Sequence, residues 1–321
     1  MPCNFGLVGA AGFVAPRHLK AIADTGNVLV AATDPHDSVG IIDRYFPDAA
    51  FFTEVERFDR FLEKRRRLSE ADRVHYLSIC SPNYLHDAHV RLALRVGAHA
   101  ICEKPLVISP WNLDQLAALE TEHGRRVYTV LQLRLLPQLQ ALKQQLTAKP
   151  SAGRAEVELT YITARGRWYG ASWKGVPEKS GGLALNIGVH FFDLLIWLYG
   201  RPLRSRVFLS HPHKMSGVFE LERADVRWFL SVDRNDLPAD VRAQGKTAFR
   251  SLASDGHQLE FSDGFPDLHT SVYRDVLDGG GFSIEDVRPS IQLAYDIRTA
   301  AVVPAGSGAH PFLINPYTEP H

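Results

Sequence analysis

Through its first ~125 residues the chain alternates short apolar runs with amphipathic stretches, a pattern that folds as a parallel sheet with helices packed on its faces. Strands are expected at 4–8, 28–33, 50–52, 74–79, 100–102 and 127–130, and helices at 15–24, 39–45, 55–68, 85–96 and 110–123. Asn83 stands where a cap for the fourth helix would be, and Pro110 suits the first turn of the fifth. The basic run 64–67 reads as the solvated face of its helix rather than a grip for phosphate.

After Pro150 the texture changes. A long strand at 155–164 and a helical run behind Gly181-Gly182 precede strands near 206–210, 218–222, 226–232, 247–253 and 258–261. Helices at 268–277 and 284–301 follow, and the Pro- and Gly-rich tail beyond Val303 reads as irregular and suited to draping over a neighbouring subunit. Strands with few helices between them point to an α+β domain built on a large, mostly antiparallel, open-faced sheet. A chain of 321 residues holds two domains of roughly 150 residues each, placed here at 1–125 and 126–321.

Charge narrows the function. Lys plus Arg number 36 and Asp plus Glu 36, so the net charge is zero, which argues against partners that are nucleic acids or anionic membranes. Three cysteines cannot make a disulfide framework, and a reducing cytoplasm is the expected setting. The N-terminus lacks the layout of a signal peptide, and the greasiest stretch, 191–199, contains Asp193 and is shorter than the ~18 residues of a membrane span. The 14 histidines are scattered with no HxxxH or CxxC element, so no metal is expected, and a hydrolase's GxSxG elbow is missing.

Directly after the first strand stands Gly9-Ala10-Ala11-Gly12-Phe13-Val14-Ala15, then a helical pattern. Small residues there let backbone approach a pyrophosphate, held by the N–H groups of the helix start. The spacing is GxxGxxA rather than GxGxxG. The second strand ends at Asp34, about 22 residues after Gly12, where an acid accepts ribose hydroxyls and repels the 2′-phosphate of NADP. Asp34 would otherwise simply begin the turn Asp34-Pro35. Strand, turn, helix, strand and acid in that order point to a dinucleotide, with NAD preferred.

Ser81-Pro82-Asn83-Tyr84-Leu85-His86 follows the fourth strand, Cys102-Glu103-Lys104-Pro105 the fifth and Gln132-Leu133-Arg134 the sixth, and the second domain carries Gly181-Gly182 ahead of Asn186-Ile187-Gly188-Val189-His190-Phe191-Phe192-Asp193. Together these resemble the glucose–fructose oxidoreductase / inositol dehydrogenase family over nearly the whole chain. That resemblance implies an N-terminal Rossmann domain for NAD and a C-terminal α+β domain for substrate and oligomerisation, giving dimers or tetramers. Within the family, Ala15-Pro16-Arg17-His18, Asp34-Pro35, Arg165-Gly166-Arg167-Trp168-Tyr169 and Ser172-Trp173-Lys174-Gly175 are similar to the bacterial dehydrogenases that oxidise the 3-hydroxyl of UDP-N-acetylglucosaminuronate in O-antigen (lipopolysaccharide) sugar biosynthesis. Their resemblance implies NADH reoxidised by 2-oxoglutarate.

Roles follow residue by residue. Lys104, at a parallel strand's carboxyl end, suits stabilising a developing alkoxide, and a cis bond to Pro105 would fix its direction. His190, four residues past Asn186 and three before Asp193, can share a helical face with both and titrates near neutrality. Asn186 stands where the family often has Asp and, being an amide, cannot take a proton. His190 is therefore favoured over Lys104 as base, with Asn186 positioning. Asp193 either orients His190 or caps a buried network. The expected coenzyme contacts are Gly9, Ala11, Gly12, Phe13, Val14, Asp34, Ser81, Pro82, Asn83, His86, Glu103, Lys104 and Gln132. His86 fits a core position equally, and by resemblance Glu103 meets the nicotinamide ribose. Arg165, Arg167, Trp168, Tyr169 and Trp173, with Lys104, Asn186, His190 and Asp193, are the expected substrate contacts; the arginines and aromatics suit a carboxylate, pyrophosphate or uracil, or else an interface cluster. Cys80 and Cys102 read as small core residues. Two other functions remain open, oxidation of a free polyol such as inositol and a non-catalytic NAD-binding regulator.

Overall fold

The computed structural model describes residues 2–148, 153–255, 257–258, 268–306 and 308–314. The chain divides into two compact units, Met1–Leu136 with Phe265–Arg288, and Pro137–Gly264 with Pro289–His321.

The first unit is built on strands β1 (Asn4–Val8), β2 (Val28–Thr33), β3 (Ala50–Phe52), β4 (Tyr76–Ile79), β5 (His99–Cys102) and β6 (Val127–Thr129). Their order is β3-β2-β1-β4-β5-β6, all parallel. Helices α1 (Ala15–Asp24), α2 (Val55–Arg66), α3 (His86–Arg95) and α4 (Trp111–His123) make the crossovers. This is the doubly wound order, in which the strand sequence reverses between β1 and β4 and ligands bind beyond the carboxyl ends. Phe5 and Leu7 of β1 and Leu29 of β2 join Leu19 and Ile22 of α1 in one buried cluster.

Three expectations change here. The boundary at 125 moves, because β6 pairs with β5 and because the helix Leu268–Leu277 returns to this unit, burying Val272, Tyr273 and Val276 in the same cluster as α1. Over 39–45 there is no helix but a succession of turns, with Ile42 N–H donating to Val39 and Tyr45 N–H to Ile42. The segment is too short to sustain a helix, with Gly40 near its start and Pro47 just past its end. Asn83 lies in a tight turn, Asn83–Leu85, and α3 begins without a side-chain cap.

The second unit holds a sheet of β7 (Ala155–Thr163), β8 (Pro202–His211), β9 (Lys214–Leu221), β10 (Ala224–Ser231), β11 (Ala248–Ser254) and β12 (His257–Gln258), in the order β12-β11-β7-β10-β9-β8. Every pair is antiparallel except the central β7–β10. The strand expected at 258–261 lies outside the described residues beyond Gln258, as does the tail from 315. A helix at Pro137–Ala148, not evident from the sequence pattern, opens the unit.

Behind the sheet runs Pro177–Tyr199, a helical stretch long and apolar enough to cross a membrane by length and composition, with 83% of its apolar window buried inside the protein. It contains the helical run expected behind Gly181-Gly182, its apolar window is longer than the 191–199 stretch read from the sequence, and its burial makes it the unit's core helix. The Phe192 ring packs edge-on against Phe219 and Trp228 with centroids 5.4 and 5.6 Å away, and Phe191 meets Tyr161 at 4.8 Å.

Candidate active site

In the first unit the residues expected to hold a dinucleotide converge. Gly9, Asp34, Ser81, Glu103 and Gln132 follow the carboxyl ends of β1, β2, β4, β5 and β6, the edge on which this topology binds ligands.

The turn after β1 is shaped by contact. Gly9 has φ +90°, and a Cβ on it would stand 2.6 Å from the Ser81 nitrogen; a Cβ on Gly12 would lie 2.9 Å from the Gly9 oxygen. Gly12 N–H donates to Gly9 (2.9 Å) and Ala15 N–H to Gly12 (3.1 Å). Val14, before α1, offers no side-chain cap, and among the described residues the N–H groups of Phe13 and Val14 have no hydrogen-bond partner. Two donors at the start of a helix form an anion seat. Asp34, buried, accepts from Ala11 N–H through Oδ2 (3.0 Å) and from His36 N–H through Oδ1 (2.9 Å), so the acid is clasped against the glycine turn. These residues fit NAD: close backbone, free donors for a pyrophosphate, and a carboxylate for the ribose. Phe13 is 86% exposed with the Arg17 guanidinium 5.7 Å from its ring centroid.

Beyond β4, Ser81 and Asn83 are buried and Pro82 half-buried. Ser81 Oγ is 2.8 Å from His89 Nδ1. His86 is wholly buried, its Nδ1 2.7 Å from the Pro105 carbonyl and its Nε2 2.8 Å from that of Ser81. Both ring nitrogens are thus committed to backbone, and His86 ties the turns after β4 and β5 together instead of touching a ligand. Burial lowers its pKa, against the pull of those two carbonyls. Cys80 and Cys102 are buried, as expected, and burial pushes both thiols well up.

Beyond β5, the Lys104–Pro105 bond is cis and Lys104 is half-buried. Its neighbour Glu103 is buried, with Oε1 accepting from His269 Nε2 at 2.8 Å and lying 3.2 Å from His18 Nε2. Burial would raise this carboxyl, but the two imidazoles outweigh it and hold the group well below the usual carboxylate range. Tyr273 adds its hydroxyl at 2.8 Å from His18 Nδ1. The sequence pattern carried no signal for His269 or Tyr273, because their helix reaches Glu103 only through folding; a buried histidine facing an acid is visible only in three dimensions.

The second unit positions the other candidates. Gly181 (φ +81°) and Gly182 (φ +71°) turn the chain, and one widened helical turn, Ala184–Gly188, leads into the helix Val189–Tyr199. Such widened turns recur at functional sites. From Leu183 to Ile196 every residue is buried except Asn186 and His190, which are half-buried, so their spacing of four puts both polar groups at one face. Asp193 is buried at 3% exposure. Asn186 Nδ2 donates to the Tyr169 hydroxyl (2.8 Å), which leaves that hydroxyl its own proton to give. Tyr169 is buried, and burial raises its pKa, eased by the Asn186 bond. Lys174 Nζ lies 4.3 Å from the Trp173 ring centroid and 5.8 Å from that of Trp168, its pKa lowered by burial and by the Arg165 guanidinium. Arg165 and Arg167 are exposed, as is Trp168.

Comparison with known proteins agrees with this geometry. Two domain models of one family match, described as "Oxidoreductase family, NAD-binding Rossmann fold" over residues 3–131 and "Oxidoreductase family, C-terminal alpha/beta domain" over 154–224. The WlbA (WbpB) dehydrogenase from Thermus thermophilus, solved in complex with NAD and alpha-ketoglutarate, is 51% identical, with a TM-score of 0.93 over 97% of this chain and 99% of that one. A second structure of that enzyme, in complex with NAD and UDP-GlcNAcA, superposes with a TM-score of 0.92 at the same identity and coverage. The D-glucoside 3-dehydrogenase of Escherichia coli is 28% identical over 129 residues, 39% of this chain and 36% of that protein. The chain spans less than two thirds of several curated relatives it matches, including 59% of a scyllo-inositol 2-dehydrogenase from Bacillus subtilis.

Proposed function

This chain belongs to the Gfo/Idh/MocA oxidoreductase family, whose first domain binds NAD, and from that premise we propose that it oxidises the 3-hydroxyl of UDP-N-acetylglucosaminuronate to the 3-oxo sugar. 2-Oxoglutarate then takes the hydride and a proton and leaves as 2-hydroxyglutarate, which restores NAD. The observation that carries this reading is the 51% identity, over 97% of the chain, to an enzyme captured with NAD and each of those two molecules.

Bound NAD supplies the hydride acceptor. Phe13 and Val14 N–H groups hold its pyrophosphate, and Asp34 takes the ribose hydroxyls while repelling a 2′-phosphate. His190 accepts the 3-hydroxyl proton on a ring nitrogen, and Lys104 Nζ stabilises the developing alkoxide. Asn186 orients the sugar through the Tyr169 hydroxyl. Arg165, Arg167 and the Trp168, Trp173 and Lys174 cluster receive the uronate carboxylate, pyrophosphate and uracil. The enzyme works in the cytoplasm as a homo-oligomer, a dimer or tetramer, in lipopolysaccharide sugar synthesis.

Adding UDP-N-acetylglucosaminuronate to the purified protein tests the reading through reduced-nicotinamide absorbance, with and without 2-oxoglutarate. Reduction of bound coenzyme alone, and formation of 2-hydroxyglutarate when both substrates are present, is the expected result. Silence in both conditions with NAD confirmed bound defeats it, and turnover of free inositol instead moves the function to polyols.

A further inference from the structure

A chain of buried polar groups runs through the first unit, and the mechanism above uses none of its members. Ser78 Oγ lies 2.5 Å from the Tyr273 hydroxyl, which lies 2.8 Å from His18 Nδ1. His18 Nε2 and His269 Nε2 then both reach Glu103 Oε1, at 3.2 and 2.8 Å. Ser78, His18 and Tyr273 are 0% exposed, His269 5% and Glu103 7%.

One arrangement of protons satisfies every member. Ser78 O–H donates to the Tyr273 oxygen, Tyr273 O–H to His18 Nδ1, and both imidazole Nε2–H groups to Glu103 Oε1. The whole network therefore ends on one carboxylate oxygen, and among the described residues the other, Oε2, receives no hydrogen bond. A carboxylate buried this deeply stays charged only if donors are aimed at it. Two are aimed here, from α1 and from the helix Leu268–Leu277, far apart along the chain. Glu103 itself stands directly after β5, on the sheet edge where the coenzyme binds.

We propose that His18 and His269 are positioning residues that keep Glu103 ionised with Oε1 turned inward, so that Oε2 accepts a hydrogen bond from a hydroxyl of the bound coenzyme. The helix Leu268–Leu277 is thereby part of the coenzyme site without touching the coenzyme. This rests on NAD as cofactor and not on the identity of the sugar. The same three ligand atoms lie within 4.8 Å of one another and would also suit a divalent metal such as zinc. Hydrogen-bond separations and a complete set of protons favour the network without metal.

The test is NAD affinity of the coenzyme-stripped full-length protein, with the melting temperature of the apo form and steady-state kinetics alongside. His269→Phe removes the donor while filling its space, and Glu103→Gln removes the charge. Both should weaken NAD by roughly ten- to a hundredfold, the worth of a hydrogen bond to a charged group, raising KM for NAD while changing kcat far less. His269→Gln retains an N–H donor and should bind within about threefold of the parent on the same reasoning. A folded His269→Phe protein with a lowered melting temperature but unchanged NAD affinity overturns the proposal, as does unchanged affinity in Glu103→Gln, which serves if His269→Phe does not fold. One zinc per chain in protein purified without chelators, lost in His269→Gln, overturns it in favour of a metal centre. Failure of the sugar reading shows separately, as intact NAD binding without turnover.

Discussion

Lys104 and Gly12 illustrate two ways a single residue governs this protein. Lys104 acts by charge: in the proposed reaction its ammonium faces an oxygen that becomes negative only as hydride leaves. Lys104→Met keeps the stem and removes the charge, so NAD binding should persist while kcat falls roughly 100- to 1,000-fold, the usual loss for one oxyanion-stabilising donor. Near-normal turnover removes Lys104 from the mechanism. Gly12 acts by absence. The nearest atoms to an added methyl are the Gly9 oxygen at 2.9 Å and the Cys80 oxygen at 3.3 Å, both backbone and unable to swing aside. Gly12→Ala should therefore cost about 1–3 kcal/mol of stability and displace the N–H groups of Phe13 and Val14, weakening NAD at least tenfold by titration. Both residues were legible from the sequence, because a glycine turn after a first strand and a lysine after a fifth are local signals. His86 was legible only as a choice. Its commitment to the carbonyls of Ser81 and Pro105 depends on two turns meeting.

At the scale of elements, the helix Val189–Tyr199 carries the second unit. Its residues are apolar on nearly every side, so it has no solvent face to orient it, and packing on the sheet fixes its rotation instead. Phe192 sits between Phe219 of β9 and Trp228 of β10. Phe192→Ala should lower unfolding free energy by about 3–5 kcal/mol in urea denaturation; a loss below 1 kcal/mol would mean that the core closes around the gap. The half-buried polar positions flanking its start are Asn186, in the widened turn Ala184–Gly188, and His190, in the helix itself. Most strands and helices were readable from period and punctuation. The helix expected at 39–45 failed because its apolar residues serve turns, and Pro137–Ala148 was missed although it forms a regular helix.

For the molecule as a whole, several buried histidines set its response to acid. Burial lowers His89 and His99 to about 4 and His310 to about 3, with nearby arginines assisting at His99 and His310, and lowers His18 and His86 as well. Their lowered pKa values mean that the folded protein binds fewer protons on these rings than the unfolded chain, which takes up protons below about 6.5. Stability contributed by these rings is therefore complete above pH 6.5 and lost as pH falls from there toward 4, flattening once the folded rings titrate too. Melting temperature measured across that window should decline steadily on acidification; a constant value from pH 7 to 4 contradicts the burial of these rings.

What the sequence determined by itself was everything carried by neighbours along the chain: the alternation that makes a parallel sheet, the glycine turn with its acid, and the motifs after β4 and β5. These are short-range because a strand end, a turn and a helix start are consecutive residues obeying local sterics and hydrogen bonding. Only the tertiary structure decided that residues 265–288 return to the first unit and bring His269 and Tyr273 to Glu103. Burial drives that return. It rewards any distant apolar helix that fits against α1, and no local pattern records which partner it finds.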